Sequence, residues 1–286
     1  MLKRPTLIFD TSAINKLVDD PECKIITLGF RVAFFARITE ANVAETIATS
    51  ETGRRHVLLE YIRSILGTGE CIKPHLEIVD QLVRTFSSDP DGFDWRTVSV
   101  IHPALEEELV RGGAIADDSS KELSQRTGRA NRKFERVHAS VRPYFQARLR
   151  SWTGERPTAT ELLKSLYNQP GKPFWDFAAK LYEKTAGSPT DESMLRRLCD
   201  ACPPFRATIL SFWLALYDRC LRDERGSESY RAGRIDVYSA VYLPYCDDFV
   251  TDDERQLRFL RVVADAGQLG TRVRSYKEFR NGLVPF

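Results

Sequence analysis

Long apolar runs are missing from this sequence. The longest lies around Ile209–Tyr217, far short of the roughly 20 residues that cross a bilayer as a helix. Near the first residue only Leu7–Phe9 is apolar before Asp10 follows, whereas a secretory signal has an apolar core of about 7–15 residues. We therefore expect neither a membrane segment nor an export signal, and we predict a cytoplasmic protein.

None of the cysteine, histidine or glycine patterns in the sequence indicates a metal or nucleotide-cofactor site. The six cysteines are scattered without a disulfide framework, which is typical of reduced thiols in a cytoplasm. Cys199 and Cys202 are spaced as C-x-x-C, but no second Cys or His pair accompanies them, so we interpret them as structural. The four histidines share no ligand spacing, and neither a P-loop nor a G-x-G-x-x-G motif occurs. These absences exclude a zinc finger and a nucleotide-cofactor enzyme.

Charge is nearly balanced over the 286 residues, with 42 basic and 40 acidic side chains. It is segregated locally, because Lys121–Arg156 holds ten basic residues and three acidic ones. Four of these basic residues fall on one face of a predicted helix, and we name them the basic stripe: Arg129, Arg132, Lys133 and Arg136. Such a stripe attracts phosphate backbones, although a solvated helix face has the same pattern. Aromatic residues that stack on unpaired bases interleave with the later arginines: Tyr144, Phe145 and Trp152.

Strand and helix signals alternate in the first 86 residues and again after Gly233. The patterns predict strands at Thr6–Phe9, within Ile26–Ile38, at Phe249–Thr251 and at Arg272–Ser275. They predict helices that begin at Asp10 and after Thr39, and helices over His56–Leu66, Leu76–Phe86, Phe205–Asp223, Ile235–Tyr242 and Asp252–Ala266. Strands separated by helices indicate a parallel sheet. We predict an α/β domain formed by residues 1–86 and 233–286, interrupted by a mostly helical insertion over 87–232.

Acidic residues follow the predicted strands of this sheet. Asp10 ends the first strand, Glu45 lies in the helix after Thr39, and Asp236 opens the helix after the insertion. The segment Asp247–Glu254 contains five acids and no base. Asp10 or Asp236 alone could be a helix cap, and the segment Asp247–Glu254 could be a solvated surface loop near a helix start. Together they would converge at the carboxyl ends of the strands, where carboxylates repel unless a cation neutralises them. Mg²⁺ and Mn²⁺ prefer such oxygen ligands.

The spacing of four segments resembles that of the PIN-domain nucleases. Leu7–Ala13 is similar to the family's opening strand and acid, and Ile38–Thr46 to its second element. Arg234–Ala240 resembles the third element, and Phe249–Asp253 the fourth, with its Thr-x-Asp pattern. Thr271–Phe279 also resembles the closing strand and turn of the family. The resemblance covers about half the chain, and the insertion between the second and third acids departs from the compact members.

What the resemblance implies is a PIN-like fold and a metal-dependent endonuclease that hydrolyses phosphodiester bonds of single-stranded RNA. The implied catalytic and metal-binding acids are Asp10, Glu45, Asp236 and Asp253, with Asp252 as an adjacent helper. Thr11, Ser12 and Thr251 would support them through hydrogen bonds. The expected cofactor is Mg²⁺ or Mn²⁺, two of which would activate a water and stabilise the leaving oxygen. The expected partners are RNA, in preference to DNA, and a candidate antitoxin-like protein.

Two other hypotheses use the same residues. An inactive PIN-like scaffold would bind RNA or a protein partner while its acids are vestigial. A phosphatase of the haloacid-dehalogenase type also begins with a strand and then Asp, but it needs a second acid two residues after the nucleophile. That position holds Ser12, so we discount the phosphatase.

Overall fold

The structure is a computed structural model that describes residues 4–67, 69–103, 157–168, 172–225 and 234–283, together with single positions between 136 and 150. The side chains at 172–173, 220–225 and 234–236 lie outside this description. No helix within the described ranges has both the length and the apolar character that a bilayer-spanning segment requires.

Five strands form one parallel sheet. The strands are β1 (Thr6–Phe9), β2 (Phe35–Thr39), β3 (Glu70–Ile72), β4 (Asp248–Thr251) and β5 (Arg272–Ser275). Their order is β3-β2-β1-β4-β5, so the first strand of the chain is the central one. All four residues of β1 are buried. The carboxyl ends of all five strands therefore lie along one edge of the sheet, where α/β proteins bind ligands.

Helices cover both faces of the sheet. In the first half they are α1 (Thr11–Asp19), α2 (Cys23–Ala33), α3 (Glu40–Ile47), α4 (Thr52–Leu66) and α5 (His75–Ser88). In the second half they are α6 (Ala159–Asn168), α7 (Lys172–Ala186), α8 (Glu192–Ala201), α9 (Pro203–Arg225), α10 (Arg234–Ser239), α11 (Glu254–Ala266) and α12 (Tyr276–Gly282). Two 3-10 turns, Trp95–Thr97 and Ala240–Tyr245, complete the described elements. The α/β class and the parallel sheet that the sequence predicts are confirmed.

Successive side chains of β1 point to opposite faces of the sheet. The hydrophobic core is therefore divided into two layers, one on each face. Leu7 and Phe9 pack in one hydrophobic cluster with residues of α1, α2, α4 and α12. Ile8 packs in the other cluster, with residues of α5 through α11. The described helices of the insertion belong to this second cluster, around the fully buried Trp213 of α9. The insertion thus contributes to the core on one face of the sheet.

Several predicted elements appear with small shifts. β1 and β5 have the predicted bounds, and α4, α5 and α9 extend the predicted helices by a few residues. The helix predicted over Ile235–Tyr242 ends at Ser239 and continues as the 3-10 turn. The helix predicted from Asp252 begins at Glu254, because Asp253 is its N-cap.

The strand predicted within Ile26–Ile38 is wrong for its first part, because α2 continues to Ala33 before β2 begins at Phe35. Ile26 and Phe30 of α2 are buried, while Ile25, Leu28 and Val32 are exposed. Apolar residues on both faces of a helix produce a continuous apolar run, which has the same appearance as a buried strand. The three-residue strand β3 was not predicted at all. It follows Gly69, where a Cβ atom would overlap the carbonyl oxygen of Ala36.

Candidate functional site

Asp10 occupies the junction between β1 and α1. Its backbone is extended, so the residue continues the strand, and its N–H donates to the carbonyl oxygen of Val250 at 2.9 Å. Its Oδ1 accepts a hydrogen bond from the backbone N–H of Ala13 at 2.7 Å and so caps α1. The carboxylate is therefore fixed at the carboxyl end of the central strand by the geometry of the cap.

Two hydroxyl groups hold the Asp10 carboxylate. Ser12 Oγ lies 2.9 Å from each of the two carboxylate oxygens. Thr251 Oγ1, from the end of β4, lies 2.9 Å from Oδ2. The two hydroxyl oxygens are 3.2 Å apart, and Ser12 Oγ accepts from the backbone N–H of Asp252 at 2.8 Å. Ser12 and Thr251 thus both contact the Asp10 carboxylate.

Glu45 reaches the same place from α3. The hydroxyl of Thr11 donates to Glu45 Oε2, and Asn42 Nδ2 lies 3.3 Å from Thr11 Oγ1. Asn42 also forms a capping box with Thr39, which fixes the first turn of α3 at the end of β2. Asn42 and Glu45 are three residues apart and so share one helix face. The structure therefore brings two of the predicted acids, Asp10 and Glu45, to one pocket.

This carboxylate pocket is small. Its volume is about 10 Å³, which is room for about one water-sized particle. Its walls are formed by Phe9, Asp10, Thr11, Thr39, Ala41, Asn42, Glu45, Ser239, Tyr242, Phe249 and Gln256. Among the residues that the structure describes, no lysine or arginine lines it. Two acids thus share a confined space without a basic side chain beside them.

Burial shifts the titration of both acids. Loss of hydration raises the pKa of Asp10 to about 7, although the hydrogen bonds from Ala13, Ser12 and Thr251 favour the charged form. The charge of Glu45 raises the pKa of Asp10 further. Burial also raises the pKa of Glu45, against the hydrogen bond from Thr11. Removing a carboxylate from water disfavours its charged form unless a cation compensates. A cation bound between Asp10 and Glu45 would therefore stabilise the charged form of both acids.

The donor atoms suit a hard divalent cation. Besides the two carboxylates, the pocket is lined by Gln256, which is 3% exposed. Its amide oxygen has no hydrogen-bond partner in the described part of the chain. Mg²⁺ is commonly held by one or two carboxylates together with waters and substrate phosphates, so these residues fit such an ion. The same described residues contain no group of three or more His, Cys, Asp or Glu side chains arranged to hold a metal.

Asp236 lies in α10, whose position is fixed by the core. Ser211 of α9 donates to the carbonyl oxygen of Val237 at 3.0 Å. Tyr238 stacks on His75 with ring centroids 3.7 Å apart, and Ser239 at the end of α10 lines the carboxylate pocket. The helix that carries Asp236 therefore adjoins the pocket. The Asp236 side chain itself lies outside the described structure.

Asp252 and Asp253 are exposed and do not line the pocket. Asp253 Oδ1 caps α11, accepting from the backbone N–H groups of Arg255 at 2.7 Å and Gln256 at 3.1 Å. Its own N–H donates to Thr251 Oγ1 at 3.0 Å. The backbone of Asp253 thus supports the hydroxyl that binds Asp10, while its carboxylate is directed to the helix end.

The acidic segment Asp247–Glu254 does not act as one cluster. Asp248 is fully buried in β4 and forms ion pairs with Arg272 at 2.6 Å and Arg274 at 2.8 Å, both on the neighbouring β5. Asp247 Oδ2 accepts from the backbone N–H of Thr6 at 2.6 Å. These two acids stabilise the sheet. Because the partners of Asp247 and Asp248 are distant in sequence, the segment itself shows five acids and no base, although two of these acids are paired in the fold.

Sequence patterns did not identify four polar residues of the pocket: Asn42, Ser239, Tyr242 and Gln256. The spacing of Asn42 and Glu45 on one helix face was a usable signal. The other three come from α10, the turn after it and α11, and only folding joins these elements to β1.

Two further predictions concern residues away from the pocket. Of the basic stripe, only Arg136 lies within the described residues, where it is helical and exposed; the other three lie outside them.

Cys199 and Cys202 are buried free thiols, and burial raises the pKa of Cys202 to about 12. A thiol that stays protonated is a poor nucleophile and metal ligand, which supports their structural interpretation.

Comparison of the chain with known proteins yields no relative: no family model, no curated protein and no solved structure matches it.

Proposed function

We propose that this protein is a PIN-like, metal-dependent nuclease that hydrolyses phosphodiester bonds of single-stranded RNA. The observation that supports this most is the pair of partly buried carboxylates, Asp10 and Glu45, which line one pocket at the carboxyl end of the central strand. Their raised pKa values express an electrostatic cost that a divalent cation would remove. Perturbed carboxylates in a confined polar site are typical of catalytic centres.

In this proposal each side chain has a distinct role. Asp10 and Glu45 would hold Mg²⁺ or Mn²⁺, and Gln256, whose buried amide oxygen has no hydrogen-bond partner among the described residues, lines the same pocket. A bound cation supplies a Lewis acid and lowers the pKa of a coordinated water. Ser12 and Thr251 fix the Asp10 carboxylate through their hydrogen bonds, and Thr11 fixes Glu45. Preorganised ligands need no rearrangement when substrate arrives.

The remaining acids complete the proposal. The helix α10, which carries Asp236, adjoins the pocket through Ser239, and we propose that the Asp236 carboxylate joins the metal site. For Asp253 the described contacts favour a supporting role, because its carboxylate caps α11 while its N–H holds Thr251. Asp252, exposed at the rim, remains as an outer helper that binds the cation through water.

An inactive scaffold is the second candidate function. It is favoured by one observation: the described residues place only two carboxylates in the pocket, and no group of three metal-ligating side chains occurs among them. In that case the chain would bind RNA or an antitoxin-like protein without chemistry.

The test is a cleavage assay with purified protein and end-labelled single-stranded RNA or DNA, in Mn²⁺, Mg²⁺ or EDTA. We expect RNA cleavage that needs the metal and that is lost in Asp10→Asn and Glu45→Gln. Asp176→Asn is the matched control, because Asp176 is an exposed acid of α7 outside the pocket. No cleavage by the wild type in either metal, or equal cleavage by Asp10→Asn, would overturn the nuclease proposal.

A further inference from the structure

A second cavity lies on the other side of the first turns of α11. Its volume is about 110 Å³, and its walls are formed by Ala159, Leu214, Asp218, Arg255, Arg258, Phe259 and Val262. We name it the arginine groove. The α11 residues in it are spaced at i, i+3, i+4 and i+7 from Arg255, which is one face of a helix.

The arginine groove adjoins the carboxylate pocket. Gln256 lines the pocket while its neighbour Arg255 lines the groove, and consecutive Cα atoms are about 3.8 Å apart. Neighbouring residues at the start of α11 therefore line the two cavities.

Arg255 has an unused guanidinium group. The side chain is exposed, and within the described part of the chain it forms no hydrogen bond and no ion pair, although its backbone N–H binds Asp253. Arg258 adds a second guanidinium, whose Nε donates to the carbonyl oxygen of Glu254 at 3.2 Å. Among the described residues of the groove walls, Asp218 is the one acid. These described residues thus carry more positive than negative charge.

The rest of the groove is apolar. Leu214 and Phe259 are 1% and 5% exposed, and Val262 and Ala159 complete this wall. A guanidinium binds a phosphate by two parallel hydrogen bonds, and an apolar or aromatic wall accepts the face of an unpaired base without regard to its identity. The two kinds of wall together match one nucleotide of a single strand.

We propose that the arginine groove is a subsite for a nucleotide that flanks the scissile phosphate of single-stranded RNA. This inference rests on the proposed function. Arg255 binds the phosphate of that nucleotide, and the partly exposed Ala159 and Val262 pack against its base, above the buried Leu214 and Phe259. Arg255 also offsets the repulsion between RNA and the exposed acids Asp252 and Asp253, which precede it on the same rim.

Binding and cleavage of one labelled single-stranded RNA by three proteins test the subsite: wild type, Arg255→Gln and the control Arg84→Gln. Arg84 is an exposed arginine in the last turns of α5, a helix that begins at the carboxyl edge of the sheet and runs away from it. Binding is measured in EDTA by fluorescence anisotropy over a range of salt concentrations. Cleavage is measured in Mn²⁺ as kcat and KM.

We expect Arg255→Gln to weaken RNA binding several-fold and to reduce the salt slope by about 0.7, the value for one phosphate contact of a single strand. We expect KM to rise while kcat stays near the wild-type value, because Arg255 does not contact the reacting atoms. A second variant, Ala159→Leu, adds a larger apolar side chain to the wall and so narrows the groove without changing its charge. It should weaken RNA binding without changing the salt slope.

Failure of the subsite and failure of the nuclease give different results. Equal binding by Arg255→Gln and Arg84→Gln overturns the subsite, whether or not the wild type cleaves RNA. Absence of binding by the wild type overturns it as well. Weaker binding by Arg255→Gln alone supports the subsite, and it does so even if no variant cleaves, a result that would overturn the nuclease proposal only.

Discussion

Thr251 Oγ1 lies 2.9 Å from Oδ2 of Asp10, although 241 residues separate them in the chain. The contact joins the carboxyl ends of the two neighbouring strands β1 and β4. It is part of a network in which Ser12 binds both side chains and the N–H of Asp253 binds Thr251. The carboxylate at the centre of the proposed site is therefore oriented by residues from both ends of the sequence.

Asp10→Asn should stabilise the protein in EDTA at neutral pH, because the wild-type pKa is raised from 3.8 to about 7. Below pH 4 the carboxyl is protonated in both the folded and unfolded states, so it does not lower the free energy of unfolding. Between pH 4 and 7 the unfolded state loses its proton first, so the wild type loses stability as pH rises, by on the order of 1.4 kcal/mol for each pKa unit.

Urea unfolding of the wild type and Asp10→Asn at pH 4 and at pH 7.5 measures this difference. Asn retains an oxygen that can cap α1, so the helix start is preserved. The stability advantage of Asp10→Asn should be present at pH 7.5 and small at pH 4. The same advantage at both pH values would contradict the raised pKa.

Thr251→Val should weaken the site by removing one hydroxyl without changing the shape of the side chain. Thr251 is fully buried, and Asp10 Oδ2 would keep the Ser12 hydroxyl but lose that of Thr251. A hydrogen bond to a charged group contributes about 1.5–3 kcal/mol. The loss also favours the protonated form of Asp10, so the Mn²⁺ affinity should fall. Calorimetric titration with Mn²⁺ measures the affinity, and Thr251→Ser, which keeps the hydroxyl, should restore most of it.

Divalent metal should raise the melting temperature of the wild type. A ligand that binds only the native state stabilises it by about 2.7 kcal/mol at a hundredfold excess over Kd. For a chain of this size each kcal/mol corresponds to roughly 2–4 °C. Differential scanning fluorimetry with and without millimolar Mn²⁺ or Mg²⁺ measures the shift, which should be reduced in Asp10→Asn, Glu45→Gln and Asp236→Asn. An unchanged melting temperature with both metals would favour the scaffold.

The basic stripe should determine RNA affinity and leave the chemical step unchanged. Replacing Arg129, Arg132, Lys133 and Arg136 together with Gln removes four cations that can each bind a phosphate. The salt slope of single-strand binding should fall by about 0.7 for each phosphate that is no longer bound, and by at most about 2.8. Cleavage at saturating RNA should stay near the wild-type rate. A loss of thermal stability with an unchanged salt slope would show that the stripe packs within the protein.

Local sequence was sufficient for elements whose signals are short-range. The strand Thr6–Phe9 and its acid were predicted, because a short apolar run before an Asx cap is a local pattern. The same holds for Thr39, whose capping box lies within four residues, and for the helical spacing of α4 and α9. Thr11, Ser12 and Thr251 were expected beside the acids from the family resemblance, and the structure places their hydroxyls beside Glu45 and Asp10.

Sequence patterns failed where the deciding contacts are distant. Nothing near Asp248 indicates the two arginines of β5 that pair with it. The apolar residues on both faces of α2 obscured its helical period, and β3, with three residues, is shorter than any window that reveals a strand. For Asp253 the family resemblance implied a metal ligand, which stays a prediction, and the structure shows the same carboxylate as the N-cap of α11.

The sequence by itself determined local features, such as the ends of β1 and β5 and the helix cap at Thr39, since propensity, capping and period depend on neighbours a few residues apart. The alternation of strands and helices indicated the parallel sheet. Only the tertiary structure decided that β1 is the central strand, that Asp10 and Glu45 share one pocket with Gln256, and that Arg255 faces a separate groove. Burial produces these relationships, because the raised pKa of Asp10 arises from atoms far apart in the chain that exclude water from the carboxylate.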